Sequence, residues 1–250
     1  MNSHLWIISL IDKNSKKKIK NLDYSINKNT NNHYRFCILD NYSSELGNLS
    51  KIYNIYEFIK DNNEIAQDDI VCIVDAFDMI FNYSRYTFHD LINCFLQSRK
   101  DLIFSSETNN TRLNKDTIAF FDNLYKNEES KYLNSGFIIG FKSKYLLFYK
   151  SLIDNINNYL EPQFKSDQRV VSKHFQSLVL TNHLCNKEGN SLNLSLDTKS
   201  IFCTTINTKY NIKSNSYRDS FFIHVTYLSN STQFKKYQTI LEYLEFPNII

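Results

Sequence analysis

Glycine and proline are scarce in this 250-residue chain, with 4 and 2 copies. No stretch rich in Pro, Gly or Ser divides it, which argues against a linker between domains. The five cysteines are odd in number and widely spaced, and no pair has Cys-x-x-Cys spacing, so neither a zinc ribbon nor a disulfide framework is indicated. Cys37 and Cys72 lie in apolar, strand-like runs and read as small core residues of a protein in a reducing compartment. Long apolar runs are missing as well. The first, Leu5-Trp6-Ile7-Ile8-Ser9-Leu10-Ile11, is too short to span a bilayer, has no basic segment before it and no small-residue cleavage site after it. The expectation is no membrane insertion and no secretory signal, with a cytoplasmic or virion-associated location. Strong charge of one sign is also absent. The net charge of +3 is too small to indicate nucleic acid, and the run Lys16-Lys17-Lys18-Ile19-Lys20 reads as a solvated helix face.

What is present is ordinary globular composition, 42% hydrophobic and 22% charged, in a chain long enough for one core. The bias towards Asn, Ile, Lys and Tyr is what an AT-rich genome produces. It deprives the sequons Asn41-Tyr42-Ser43, Asn48-Leu49-Ser50 and Asn230-Ser231-Thr232 of meaning, because an Asn-rich chain forms them by chance.

Strand-like and helix-like segments alternate. Strands are expected at Leu5 to Ile11, Tyr34 to Leu39, Ile70 to Val74, Leu102 to Phe104, Phe137 to Phe141, Leu192 to Leu196 and Phe221 to Val225. Helices are expected around Lys16 to Asn27, through Ile52, Ile55, Tyr56 and Ile59 with Ser50 as N-cap, and through Phe88, Leu91, Ile92, Phe95 and Leu96. Further helices cover Asp116 to Tyr125, Leu146 to Leu160, the residues after Asp167, and a last stripe of Phe234, Tyr237, Leu241 and Leu244. The pattern predicts a single α/β domain over 1–250 with a largely parallel central sheet. Ligands of such sheets bind beyond the carboxyl ends of the strands.

Asp75 and Asp78 fall at such an end. Two carboxylates three residues apart in a tight turn can converge on one Mg²⁺ or Mn²⁺, ions that prefer oxygen ligands and share them with a diphosphate. Taken alone, the spacing of Asp75-Ala76-Phe77-Asp78 favours the plainer reading of an exposed acidic turn with Asp78 capping the next helix, although its place after an apolar strand improves the case for a site. His224 alone reads as a hydrogen-bonded histidine at a strand end.

Five segments in order change that weighing: Val74-Asp75-Ala76-Phe77-Asp78, Phe104-Ser105-Ser106-Glu107, Tyr132-Leu133-Asn134-Ser135-Gly136-Phe137-Ile138-Ile139-Gly140, Ser166-Asp167-Gln168 and Phe222-Ile223-His224. At these separations they resemble the glycosyltransferase domain of the procollagen lysyl hydroxylases. The stretch Leu196 to Phe202 and the terminal Phe246-Pro247-Asn248 are similar to that family too. A stand-alone giant-virus member suits the composition. The resemblance implies a GT-A (Rossmann-like) fold with a mixed, mostly parallel sheet, a UDP-hexose donor, and Mn²⁺, with Mg²⁺ as the alternative. It implies glucose transfer, with retention, to galactosylhydroxylysine of a collagen-like glycoprotein.

Carried over residue by residue, the resemblance makes Asp75, Asp78 and His224 the metal ligands. Ala76 and Phe77 would border the uridine or ribose, and Asn134, Ser135 and Gly136 would line the sugar site. Asp167 would orient the donor sugar or acceptor hydroxyl, Glu107 would contact the acceptor side, and Lys51 would meet a phosphate. Asp167 also has the plain reading of a helix N-cap, and Lys51 that of a surface lysine. The sequence departs from the family after His224, where a Gly-rich stretch ending in a phosphate-contacting lysine is replaced by Val225-Thr226-Tyr227-Leu228-Ser229-Asn230. Lys235 or Lys236 could supply that charge from the last helix. The family's acceptor-side tryptophan is missing, and Thr111 falls near its place. Two other readings therefore stand beside the first: transfer to another glycan or to hydroxylysine itself, and a non-catalytic module that binds a UDP-sugar or a partner.

Overall fold

The computed structural model describes residues 4–12, 19–28, 34–43, 45–161, 166–185, 192–207, 216–226 and 228–245, with side chains up to residue 181 in the last helical turns before 185. Lys16 to Lys18, the Cys185 side chain, Tyr227 and the terminal Phe246-Pro247-Asn248 lie outside them.

The elements run in the order β1 (Leu5–Leu10), α1 (Lys20–Asn27), β2 (Tyr34–Leu39), α2 (Leu49–Asp61), β3 (Ile70–Val74), β4 (Met79–Phe81), α3 (Phe88–Ser98) and β5 (Leu102–Glu107). Then follow α4 (Lys115–Leu124), β6 (Tyr132–Phe141), α5 (Lys142–Asp154), α6 (Asp167–Cys185), β7 (Leu194–Asp197), β8 (Cys203–Ile206), β9 (Phe222–Val225) and α7 (Ser231–Tyr243). Among the described residues, nine strands form one mixed sheet in the order β2-β1-β3-β6-β5-β8-β9-β4, with β7 also paired to β5. Strands β1, β2 and β3 are mutually parallel, as are β5 with β7 and β8, and β8 with β9. Strand β6 runs antiparallel to both β3 and β5, and β4 runs antiparallel to β9.

The near-continuous apolar runs are explained by burial on both faces. Trp6, Ile8, Val71, Ile73, Phe104 and Ile138 face one core with α2, α5 and α6. Their neighbours Leu5, Ile7, Ile70, Cys72, Val74 and Ile139 face the other, against α1 and α3. A third cluster joins Ile80, Ile206, Ile223 and Val225 to α7.

Three local expectations differ from the structure. Strands β4 and β8 are absent from the sequence reading, because β4 has only three residues and the centre of β8 is Thr204-Thr205, so neither forms an apolar run of strand length. Asp78 does not cap a helix, since β4 follows it directly. Ser50 is not the N-cap of α2. The helix starts after Asn48, and the Ser50 hydroxyl instead donates to the carbonyls of Ser43 and Gly47, tying down the turn before the helix.

Buried polar side chains bind the loops to the sheet. Asp197, 5% exposed, accepts the backbone N–H groups of Ile201, Phe202 and Cys203 and so shapes the turn from β7 to β8. His174 on α6 is buried against Phe148, with the Tyr159 hydroxyl 3.1 Å from Nδ1. Burial lowers its pKa from 6.5 to about 4. An unfolded chain therefore takes up this proton first as pH falls. The contribution is intact above pH 6.5, drains away as pH drops towards 4, and amounts to about 3 kcal/mol. Urea unfolding at pH 7 and pH 4.5 should show the loss, and His174→Gln should lessen the difference between them.

Candidate active site

The turn after β3 is held from both sides. The Asp75 N–H donates to the Gly136 carbonyl at 2.8 Å, and the Val225 N–H donates to the Asp78 carbonyl at 2.8 Å. Ala76 is buried between them. Strand β4 then pairs with β9 in a register that sets Met79 opposite His224. This pairing is why a histidine near the end of the chain meets the acids of the central strand.

His224 Nε2 lies 3.3 Å from Asp78 Oδ1 and 3.6 Å from Asp75 Oδ2. One donor atom from each of the three residues falls within 4.8 Å of the others. His224 is 2% exposed, whereas the Asp75 and Asp78 side chains are 37% and 24% exposed and open onto the pocket. Enclosure would push the imidazole pKa down, but Asp78 and Asp75 hold it above its ordinary value. Enclosure would likewise raise the Asp75 carboxyl, but Lys51 and His224 keep it below. One imidazole nitrogen and two carboxylates, converging at the mouth of a pocket, form a donor set that fits a Mn²⁺ or Mg²⁺ ion with positions left for a ligand.

The sugar-site segment is shaped by an irregularity in β6. Its pairing with β5 runs Phe104↔Ile138 and then jumps to Ser105↔Asn134. Ser135, Gly136 and Phe137 thus have no partner on β5, and the bulge turns Ser135 and Gly136 into the pocket. Asn134 braces it. Its Oδ1 accepts the Gly136 N–H at 2.8 Å, and its Nδ2 donates to Glu107 Oε1 at 3.1 Å. Gln168 Nε2 donates to the same Glu107 oxygen at 2.7 Å. Glu107 is 4% exposed, so besides lining the pocket it anchors two amides.

Gly136 serves space rather than conformation: among the described glycines only Gly47 has positive φ. A Cβ on Gly136 would lie 2.3 Å from His224 Cε1, and one on Gly140 would lie 2.2 Å from Leu102 Cδ2 and 2.6 Å from the Asp101 carbonyl. The two positions should therefore respond differently to alanine. Gly140→Ala overpacks the sheet and should cost about 1–3 kcal/mol of unfolding free energy. Gly136→Ala should displace the His224 ring, and its larger effect should be a weaker Mn²⁺ affinity, read by calorimetry.

Asp167 opens α6, but Ser166 does the capping: its hydroxyl accepts the Arg169 N–H at 3.4 Å. The Asp167 carboxylate instead accepts the Ser135 hydroxyl at 2.8 Å and lines the pocket. Lys51 donates to Asp75 Oδ1 at 2.5 Å and to the Ser135 carbonyl at 2.7 Å. Lys51, Asp75 to Asp78, Glu107, Asn134 to Gly136, Asp167 and His224 all line one pocket of about 420 Å³, a volume usual for small-molecule sites.

The pocket also contains residues the sequence reading passed over. Leu10, Ile11, Asp12, Tyr42, Asn48, Arg112 and Gln168 line it too. Gln168 could have been found from its place beside Asp167. Arg112 carried no signal, because a lone arginine in a loop of polar residues has no pattern. Lys235 and Lys236 do not line the pocket, and Lys236 Nζ donates to the Asn207 carbonyl at 3.1 Å. Thr226 lines the pocket after His224.

No protein-family profile matches the chain, and no curated protein matches it. Solved structures do. The chain is similar to a glycosyltransferase involved in the glycosylation of the major capsid of PBCV-1, with a TM-score of 0.54 and 10% identity, over 98% of this chain and 100% of that one. It is similar as well to WbbM, a bifunctional glycosyltransferase, with a TM-score of 0.56 and 11% identity, over 99% of this chain and 50% of that one. This chain thus spans about half the length of WbbM. The α/β architecture with a mixed, mostly parallel sheet is that of these glycosyltransferases. Among the described residues, no helix is long and apolar enough to cross a membrane.

Proposed function

We propose that this chain is a metal-dependent glycosyltransferase that moves a hexose, with glucose favoured, from a UDP-sugar to galactosylhydroxylysine of a collagen-like protein, with retention. The observation that carries the reading is the convergence of Asp75, Asp78 and His224 at the carboxyl end of the central strand, inside a pocket of a glycosyltransferase-like fold. Asp75, Asp78 and His224 would hold Mn²⁺, which when bound offsets negative charge on the departing diphosphate.

The other residues of the pocket are of two chemical kinds. Leu10, Ile11, Asp12 and Tyr42, with Ala76 and Phe77, offer apolar and ring surface plus one carboxylate, which suits a nucleoside. Ser135, Asp167, Gln168 and Glu107 offer hydroxyl, carboxylate and amide groups, which suit a hexose and an acceptor hydroxyl. Asp167, fixed by Ser135, orients the hydroxyls of the transferring sugar and accepts a hydrogen bond from the incoming hydroxyl. Gly136 lets the backbone come close to both the sugar and His224. Among the described residues no obvious nucleophile stands out, so same-face attack by the acceptor hydroxyl fits the retaining outcome.

The decisive experiment incubates the protein and Mn²⁺ with several UDP-sugars and collagen-like peptides bearing lysine, hydroxylysine or galactosylhydroxylysine. Mass spectrometry then reads the products. A gain of one hexose on the galactosylated peptide from UDP-glucose is the expected result. A hexose added only to hydroxylysine or to another glycan moves the acceptor assignment. UDP binding by calorimetry with no turnover on any acceptor makes the protein a binding module.

A further inference from the structure

Lys51 sits in the first turn of α2, its side chain 15% exposed. Its ammonium donates to two acceptors on two different elements, Asp75 Oδ1 after β3 and the Ser135 carbonyl in the β6 bulge. Ser135 passes the connection on, since its hydroxyl donates to Asp167 Oδ2 at the start of α6. The two oxygens of Asp75 are thereby divided: Oδ1 takes the lysine, and Oδ2 faces His224 Nε2. Behind the ammonium lies a cavity of about 10 Å³, bordered by Lys51, Ser135, Tyr149 and Asp167. That is room for about one water molecule.

This geometry suits a cation that is already employed. Asp75, Asp78 and Asp167 crowd one partly enclosed site, and unbalanced carboxylates there would be costly. Burial would lower the Lys51 pKa, yet the fields of Asp75, Asp167 and Asp78 hold it above its ordinary value. Two of the three hydrogen bonds that the ammonium can donate are committed to protein.

We propose that Lys51 is the resident counter-ion of the acid cluster, a positioning residue that holds Asp75 and the Ser135 bulge in their site geometry before a divalent ion arrives. The inference rests on the metal-site reading of Asp75, Asp78 and His224. Because the ammonium and the ion answer the same negative charge, each weakens the hold of the other. Lys51 thus exchanges some metal affinity for a site that is ordered without metal.

The test uses the whole chain with Mn²⁺ alone, titrated by the electron paramagnetic resonance signal of unbound Mn²⁺, and thermal unfolding with and without the ion. Lys51→Met should bind Mn²⁺ roughly tenfold more tightly than the parent. It should melt lower than the parent without metal and recover most of the difference when Mn²⁺ is added. Lys51→Arg, which keeps the charge, should stay near the parent in both measurements. Unchanged or weaker Mn²⁺ binding by Lys51→Met overturns the inference, as does an equal loss of melting temperature with and without Mn²⁺. Weaker UDP binding in saturating Mn²⁺, with Mn²⁺ affinity unchanged, would make Lys51 a phosphate ligand instead.

A metal-free cycle guards against a variant that folds poorly. Lys51→Met combined with Asp75→Asn should be more stable to urea than Lys51→Met alone, because neither charge is then left unpaired. Additive losses overturn the counter-ion role. If the parent binds no Mn²⁺, the metal reading fails, and this cycle still decides whether Lys51 balances Asp75.

Discussion

Asp75→Asn should lower Mn²⁺-dependent turnover of UDP-glucose by on the order of 10³-fold. The side chain keeps its shape and loses its charge, so the change tests chemistry rather than packing. Asp75 is held at three points: its N–H is bonded to Gly136, its Oδ1 to Lys51, and its Oδ2 faces His224. The amide is a much weaker ligand for a hard cation. It also leaves Lys51 facing a neutral group within a site that still holds Asp78 and Asp167. Calorimetry should therefore show weaker Mn²⁺ binding together with the loss of turnover. Release of UDP from UDP-glucose, measured over a range of Mn²⁺ concentrations, separates the two effects: excess metal restores activity if only affinity is lost. Full activity of Asp75→Asn at ordinary Mn²⁺ concentration would falsify the assignment of the acidic turn.

Asp167→Asn should act on a different quantity. The carboxylate is 6% exposed and is held by the Ser135 hydroxyl at 2.8 Å. An asparagine oxygen can still accept that hydrogen bond, so the geometry of α6 and of the bulge is expected to survive. What disappears is negative charge next to the transferring sugar and a strong acceptor for the incoming hydroxyl. The expected result is a fall in kcat on the order of 10²-fold, with KM for the donor and the affinity for Mn²⁺ both near the parent values. The KM-against-kcat split is the informative part, because loss of a uniform binding contact would raise KM and leave kcat. If kcat is unchanged, Asp167 serves only to join α6 to the β6 bulge.

Much of this site was legible in the sequence because it rests on elements with strong local patterns. The run Ile70 to Val74 is apolar on both faces, so it belongs in the middle of a sheet, and acids immediately after such a strand sit where ligands bind. The glycine in Asn134-Ser135-Gly136 stands out in a chain with only 4. The structure gives it a cause: any Cβ there would strike the His224 ring. Each of the ordered segments from Val74 to His224 contributes at least one residue to a single pocket.

Other features were out of reach for physical reasons. Strand β4 is three residues long, too short for periodicity to register, yet its pairing with β9 is what brings His224 to the acids. The bulge in β6 depends on a register with β5 that no local pattern encodes. Arg112 reaches the pocket on a loop with no periodicity. Lys51 read as a phosphate contact or a plain surface lysine, and only tertiary packing shows that its ammonium donates to Asp75 and Ser135. The sequence by itself determined the layered α/β class, the buried strands and the acidic turn, because these follow from patterns within a few neighbouring residues. The tertiary structure alone decided what the turn faces and how its charges are balanced, because strand register and hydrogen-bond partners are set between segments far apart in the chain.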